Sequence, residues 1–121
     1  MTSAALQTAL AYWHAWTGKD IDGAMAYIAE DIVCEAPAGR LEGAEAYRGF
    51  LQPFAEQLLL DATMLAAFGE EDTAVLVYDT RTVATPSAPG AEYVTVKDGR
   101  ITASRFIFDR LPFEQFQRQA S

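Results

Sequence analysis

The chain has 121 residues, half of them apolar, with 9 Lys+Arg against 17 Asp+Glu and a formal net charge of −8. That length predicts one domain spanning residues 1–121, with a core and room for one internal pocket. One Cys (Cys34) and one His (His14) exclude a disulfide framework and a Cys-rich zinc site. Any Ser-His or Cys-His catalytic pair would have to use His14. An acidic chain without a basic cluster is a poor partner for nucleic acid or an anionic membrane. No Lys or Arg precedes Lys19, so the charged start of a secretory signal is missing. No apolar run approaches the roughly 20 residues of a membrane helix. A reduced, cytoplasmic location is the expectation, and the lone Cys fits it.

Thr2 or Ser3 caps a first helix to about Thr17. Leu6, Leu10, Trp13 and Thr17 mark one apolar stripe, and Ala5, Ala9, Tyr12 and Trp16 its neighbour. Gly18 ends the helix. Asp20 caps a short second helix over Ile21 to Ile28, with Asp22 in its first turn. Ile32 to Ala36 reads as a short strand, broken by Pro37 and Gly39. A third helix covers about Ala44 to Leu58, and Pro53 should kink or split it. Strands follow at Leu59–Phe68, Thr73–Thr85, Glu92–Lys97 and Ile101–Arg110. Pro86 to Gly90 reads as a loop, and Asp98-Gly99 as a tight hairpin turn. From Pro112 the tail is short and polar, with Phe113 and Phe116 as docking groups. Helices first and antiparallel strands afterwards give an α+β fold.

This order resembles the nuclear-transport-factor-2-like superfamily, with its SnoaL-like polyketide cyclases, ketosteroid isomerases and limonene-epoxide hydrolases. The segments that carry the resemblance are Gly18 to Ala24, Tyr27 to Asp31, Leu41-Glu42-Gly43 and Val96 to Ile101. The resemblance implies a cone-shaped, curved antiparallel sheet wrapped with three N-terminal helices around an apolar cavity. It also implies a homodimer through the outer sheet face. One scaffold of this kind hosts many functions.

The resemblance can be carried to individual positions. Tyr12 falls where the isomerases keep an oxyanion-stabilising Tyr, and Glu92 where they keep a second oxyanion acid. Ala36 stands where their general-base Asp would be, so the family's isomerisation mechanism lacks its base. Asp79 and Arg81 resemble the Asp and Arg of the epoxide hydrolases in reversed order, and the other hydrolase Asp matches Phe106.

Asp79 and Arg81 are also unusual in themselves. Residues i and i+2 of a strand share a face, here with Val75, Val77 and Val83. The expected role is Arg81 binding a carbonyl or developing oxyanion, with Asp79 as base or orienter. The bland alternative is a cross-strand salt bridge or dimer contact. Glu92 alternates in phase with Val94 and Val96, and burial there would raise its pKa and make it an acid. It would otherwise be a solvated rim residue. Tyr12 would donate to a substrate oxygen or pack as a core aromatic. His14 lies about 200° round the helix from Tyr12 and faces away.

The expected pocket lining is Trp16, Tyr27, Cys34, Ala36, Phe50, Leu51, Phe54, Val75, Val77, Ser104, Phe106 and Phe108. Glu35 points to the opposite side. No cofactor is expected and no metal site, since no second His or Cys cluster exists. The partner is a small hydrophobic molecule. Two functions follow. The first is a cofactor-free acid-base enzyme (isomerase, cyclase, dehydratase or epoxide hydrolase) using Asp79, Arg81, Tyr12 and Glu92. On that reading Asp79→Asn abolishes turnover and leaves the fold intact. The second is a non-catalytic binding or dimeric accessory protein. Convergence of Asp79, Arg81 and Glu92 on one void favours the enzyme. An Arg81 bridged outward and a void filled by rings favour the binder.

Overall fold

The structure, a computed structural model, describes residues 3–120. Helix α1 spans Ala4–Thr17, and Ser3 caps it by accepting from Leu6 N–H at 3.0 Å. Thr2, the other capping candidate, lies outside the described residues. Helix α2 (Ile21–Met25) is capped by Asp20 and stops three residues earlier than its sequence suggests. Ile28 instead opens strand β1 (Ile28–Ala36), because it pairs with Ile101 across the sheet. Pairing of a β-branched residue outweighs a local helix signal. Strand β2 (Gly39–Glu42) was not foreseen. Of Pro37 and Gly39, read as breakers, Pro37 lies with Ala38 in the turn that folds β2 back on β1, and Gly39 opens β2 by pairing with Ala36.

Helix α3 (Ala44–Pro53) splits where Pro53 was expected to split it. The chain widens into a π-helical turn, Phe54–Leu58, in which Leu59 N–H donates to the Phe54 carbonyl. Lys19 Nζ donates to the carbonyls of Ala55 and Leu59 at 2.6 and 2.7 Å, which ties this turn to the end of α1. Strands β3 (Leu59–Glu70), β4 (Thr73–Thr82), β5 (Ala88–Lys97) and β6 (Arg100–Phe108) complete the sheet. The β5–β6 turn is the expected Asp98-Gly99, with φ of 52° and 75°. β5 begins four residues earlier than expected, since Pro89 sits near the strand start, where a missing N–H is tolerated. The tail forms a fourth helix, α4 (Leu111–Ala120). Asp109 caps it by accepting from Leu111 N–H, and Pro112 in its first turn helps start it rather than breaking it.

The six strands run in the order β2-β1-β6-β5-β4-β3. Every neighbouring pair is antiparallel except β1 and β6, which are parallel. Register shifts in β3, in β1 and between β5 and β6 mark the bulges that curve this open sheet. Its inner face packs against Ala5, Ala9, Tyr12, Trp13 and Trp16 of α1 and Tyr47 and Leu51 of α3. Burying each large apolar side chain stabilises the fold by about 1.5–3 kcal/mol. Among the described residues no helix is long and apolar enough to cross a membrane.

Candidate functional site

Cross-strand register decides which side chains meet. Leu76, Glu92 and Phe106 form one row across β4, β5 and β6. Tyr78, Gly90 and Phe108 form the next. Both rows face inward. Only glycine fits at position 90 without a shift, because a Cβ there would meet the Ile107 carbonyl oxygen at 2.6 Å. Tyr78 and Glu92 are therefore diagonal neighbours, within reach of long side chains. Tyr78 Oη donates to Glu92 Oε1 at 2.5 Å. α1 brings Tyr12 to the same place and α3 brings Tyr47, and their hydroxyls are hydrogen-bonded to each other.

Glu92 is 0 % exposed. Burial is the main force on its carboxyl and pushes its pKa from 4.5 up to about 7. The hydroxyls of Tyr78 and Tyr12 hold it down in part, because they favour the charged form. Burial first, and then the charge of Glu92, push the phenols of Tyr12, Tyr47 and Tyr78 well above their ordinary range. These phenols stay protonated and act as hydrogen-bond donors. Glu92 Oε2 has no well-formed partner among the described residues. Nor has Ser104 Oγ, which lies beside Tyr47 and Cys34. Burial also raises the Cys34 thiol to about 11, which keeps it unreactive.

Beside this cluster lies a pocket of about 40 Å³. Trp16, Phe50, Leu51, Phe54, Phe106 and Phe108, all expected in the lining, form its wall together with Tyr78 and Phe113. Its walls are almost wholly apolar, and Tyr78 links them to the carboxyl behind. Half-buried Phe113, on α4, packs its ring 5.8 Å from Phe54 and 5.7 Å from Phe108, closing one side.

Several expected positions lie elsewhere. Asp79, Arg81, Val75 and Val77 are on the outer face of β4, because Leu76, Tyr78, Thr80 and Thr82 take the inward parity. Both parities of this strand are rich in apolar residues, so alternation alone chose the wrong side. Arg81 forms a salt bridge with Asp61 on β3 at 2.7 Å, with both side chains more than half exposed. Asp79 accepts from Ser87 Oγ and Ala88 N–H and so anchors the β4–β5 loop. Thus Asp79 and Arg81 do not converge with Glu92. Tyr12, Cys34 and Ser104 are buried behind the pocket wall rather than in it. Tyr27 and Ala36 are partly buried and away from the pocket. His14 is exposed. Among the described residues no group of three His, Cys, Asp or Glu is gathered as a metal ion would need.

Three residues of the site were missed. Tyr47 lies within the third helix with no signal of its own, Tyr78 was hidden by the parity error, and Phe113 was expected to dock but not at the pocket. The available signal for Tyr78 was its register. A hairpin that places Glu92 inward also places Leu76 and Tyr78 inward.

No match is found among curated proteins. A protein from Kribbella flavida DSM 17836, known from its crystal structure, is 55% identical, with a TM-score of 0.92 over 99% of this chain and 100% of that one. An NTF2-like protein of unknown function from Cytophaga hutchinsonii ATCC 33406 is 19% identical, with a TM-score of 0.79 over 94% and 96% of the two chains. An LEH-like epoxide hydrolase of M. tuberculosis is 20% identical, with a TM-score of 0.77 over 97% and 92%. The last two likenesses are likenesses of fold. The SnoaL-like domain model matches residues 9–104, most of the chain, and this protein belongs to that family.

Proposed function

We propose that the protein binds a small apolar molecule carrying a carbonyl oxygen, and that Tyr78, backed by Glu92, meets that oxygen. The observation that carries this reading is the buried Tyr78–Glu92 pair behind an apolar, ring-lined pocket. A protonated Glu92 can donate to the phenol oxygen, which frees the Tyr78 O–H to donate into the pocket. An ionised Glu92 accepts from Tyr78 and withdraws that donor. The pocket is small, so a ligand of one ring enters only if the half-buried Phe50, Phe54 and Phe113 swing aside. The outward bridge of Arg81 and the aromatic filling support binding over the four-residue catalytic set.

The test is the affinity of cyclohexanone as a function of pH, followed by NMR titration. Below pH 7 Glu92 is protonated and the ketone binds. As pH rises through about 7 the donor is withdrawn and affinity falls. A ketone affinity that is flat from pH 5 to 9, or no binding at any pH, contradicts the reading.

A second reading is favoured by one observation, the Glu92 pKa of about 7. A carboxyl poised there serves as a general acid near neutrality, so cofactor-free acid-base chemistry on the same oxygen fits the site. It predicts turnover of a bound enolisable ketone, lost in Glu92→Gln. The outer sheet face carries Leu65, Phe68, Tyr93 and Ile107, with Phe68 66 % exposed. A second copy of the chain is the proposed occupant of this face. Light scattering should give a dimer mass, and Tyr93→Glu a monomer. A reducing, cytoplasmic compartment suits the buried free thiol of Cys34.

A further inference from the structure

Trp16 lies on the pocket wall, and its ring is 1 % exposed. Its indole N–H has no hydrogen-bond partner among the described residues. The rings nearest it are Phe54 at 6.1 Å, which has no acceptor, and Tyr78 at 6.0 Å, whose hydroxyl is engaged with Glu92. A buried N–H without an acceptor is costly, and native structures seldom keep one without a reason. Trp13 supplies the contrast. Its N–H is also unpartnered, yet its ring does not line the pocket. Among the described residues with an unpartnered buried N–H, Trp16 lines the pocket and Trp13 does not.

We infer that Trp16 is a second polar anchor of the pocket and selects ligands with two separated acceptor oxygens, such as diones and quinone-like rings. One oxygen meets Tyr78 and the other accepts from Trp16 Nε1–H. The Trp16 and Tyr78 rings lie 6.0 Å apart between centres and line the same pocket, so one small molecule can face both. This inference rests on the proposed ketone-binding reading and adds the ligand class to it. A neutral hydrogen bond that also satisfies an orphaned donor is expected to change affinity by about tenfold.

The experiment compares cyclohexanone with 1,4-cyclohexanedione on wild type, Trp16→Phe and Trp13→Phe, by calorimetry at pH 6. Wild type and Trp13→Phe should both bind the dione about tenfold more tightly than the monoketone. Trp16→Phe should lose this preference and bind the two about equally. A tenfold preference that survives in Trp16→Phe, or none in wild type, overturns the role of Trp16 while leaving the ketone site standing. Failure of wild type to bind either compound overturns the pocket reading itself. Should Trp16→Phe not fold, wild type still decides the matter. The chain has two Trp residues and so two indole N–H signals, assigned by the one missing in Trp13→Phe. The dione should move the Trp16 signal downfield and leave Trp13 in place. An unmoved Trp16 signal at saturating dione contradicts the inference.

Discussion

Glu92 and Asp79 are both carboxylates on adjacent central strands, and they lead opposite lives. Glu92 points inward, is fully buried, and has the phenols of Tyr78 and Tyr12 as its hydrogen-bonding neighbours. Asp79 points outward and spends its oxygens on a serine hydroxyl and a loop N–H. One residue of strand parity separates a group whose proton affinity the fold controls from one that staples a turn. The difference shows that charge on an apolar-looking strand marks a site only when the register carries it inside. The Val-rich outer face of β4 looks like a pocket wall in sequence and is a surface in space.

The comparison can be broken first through stability. The folded pKa of Glu92 lies above its unfolded value, so the folded state holds a proton that the unfolded state releases. This contribution is fully present below about pH 4.5 and is lost as pH rises to about 7. The shift corresponds to about 3 kcal/mol. Urea unfolding of Glu92→Gln should therefore lack this decline, and the variant should be more stable than wild type at pH 8. A wild type whose stability does not fall between pH 4.5 and 7 would place Glu92 in water. Next in size is Tyr78→Phe, which leaves Glu92 Oε1 without its donor and should cost about 1–3 kcal/mol. Asp79→Ala should cost about 1 kcal/mol by freeing Ser87 and Ala88, with ketone affinity unchanged. Arg81→Ala is the smallest, under about 1 kcal/mol, since the Asp61 bridge is solvent-exposed, and the effect should vanish in 1 M salt. A larger effect of Arg81→Ala than of Tyr78→Phe would reverse the order of the two faces.

Much of the fold was legible because its signals are local. Ser3, Pro53 and the Asp98-Gly99 turn act within a few residues, and the structure uses each of them. What escaped depends on contacts distant in sequence. Ile28 becomes a strand residue only because Ile101 is there to pair with it, and β2 exists only against β1. The helix α4 was hidden by Pro112, which was read as belonging to a polar tail. In the site, the inward phase of Glu92 was visible from Val94 and Val96. Its partner Tyr78 was not, since β4 is apolar on both sides and alternation carries no sign there. The meeting of Tyr12 with Tyr47 needs two helices to be packed before it can be seen.

The most direct test is the affinity of cyclohexanone for three proteins at pH 6: wild type, Tyr78→Phe and Asp79→Asn. Binding in wild type, kept in Asp79→Asn and lost about tenfold or more in Tyr78→Phe, is what a site on the inner face requires. Binding that survives Tyr78→Phe and disappears in Asp79→Asn would contradict it and return the chemistry to the outer face of β4.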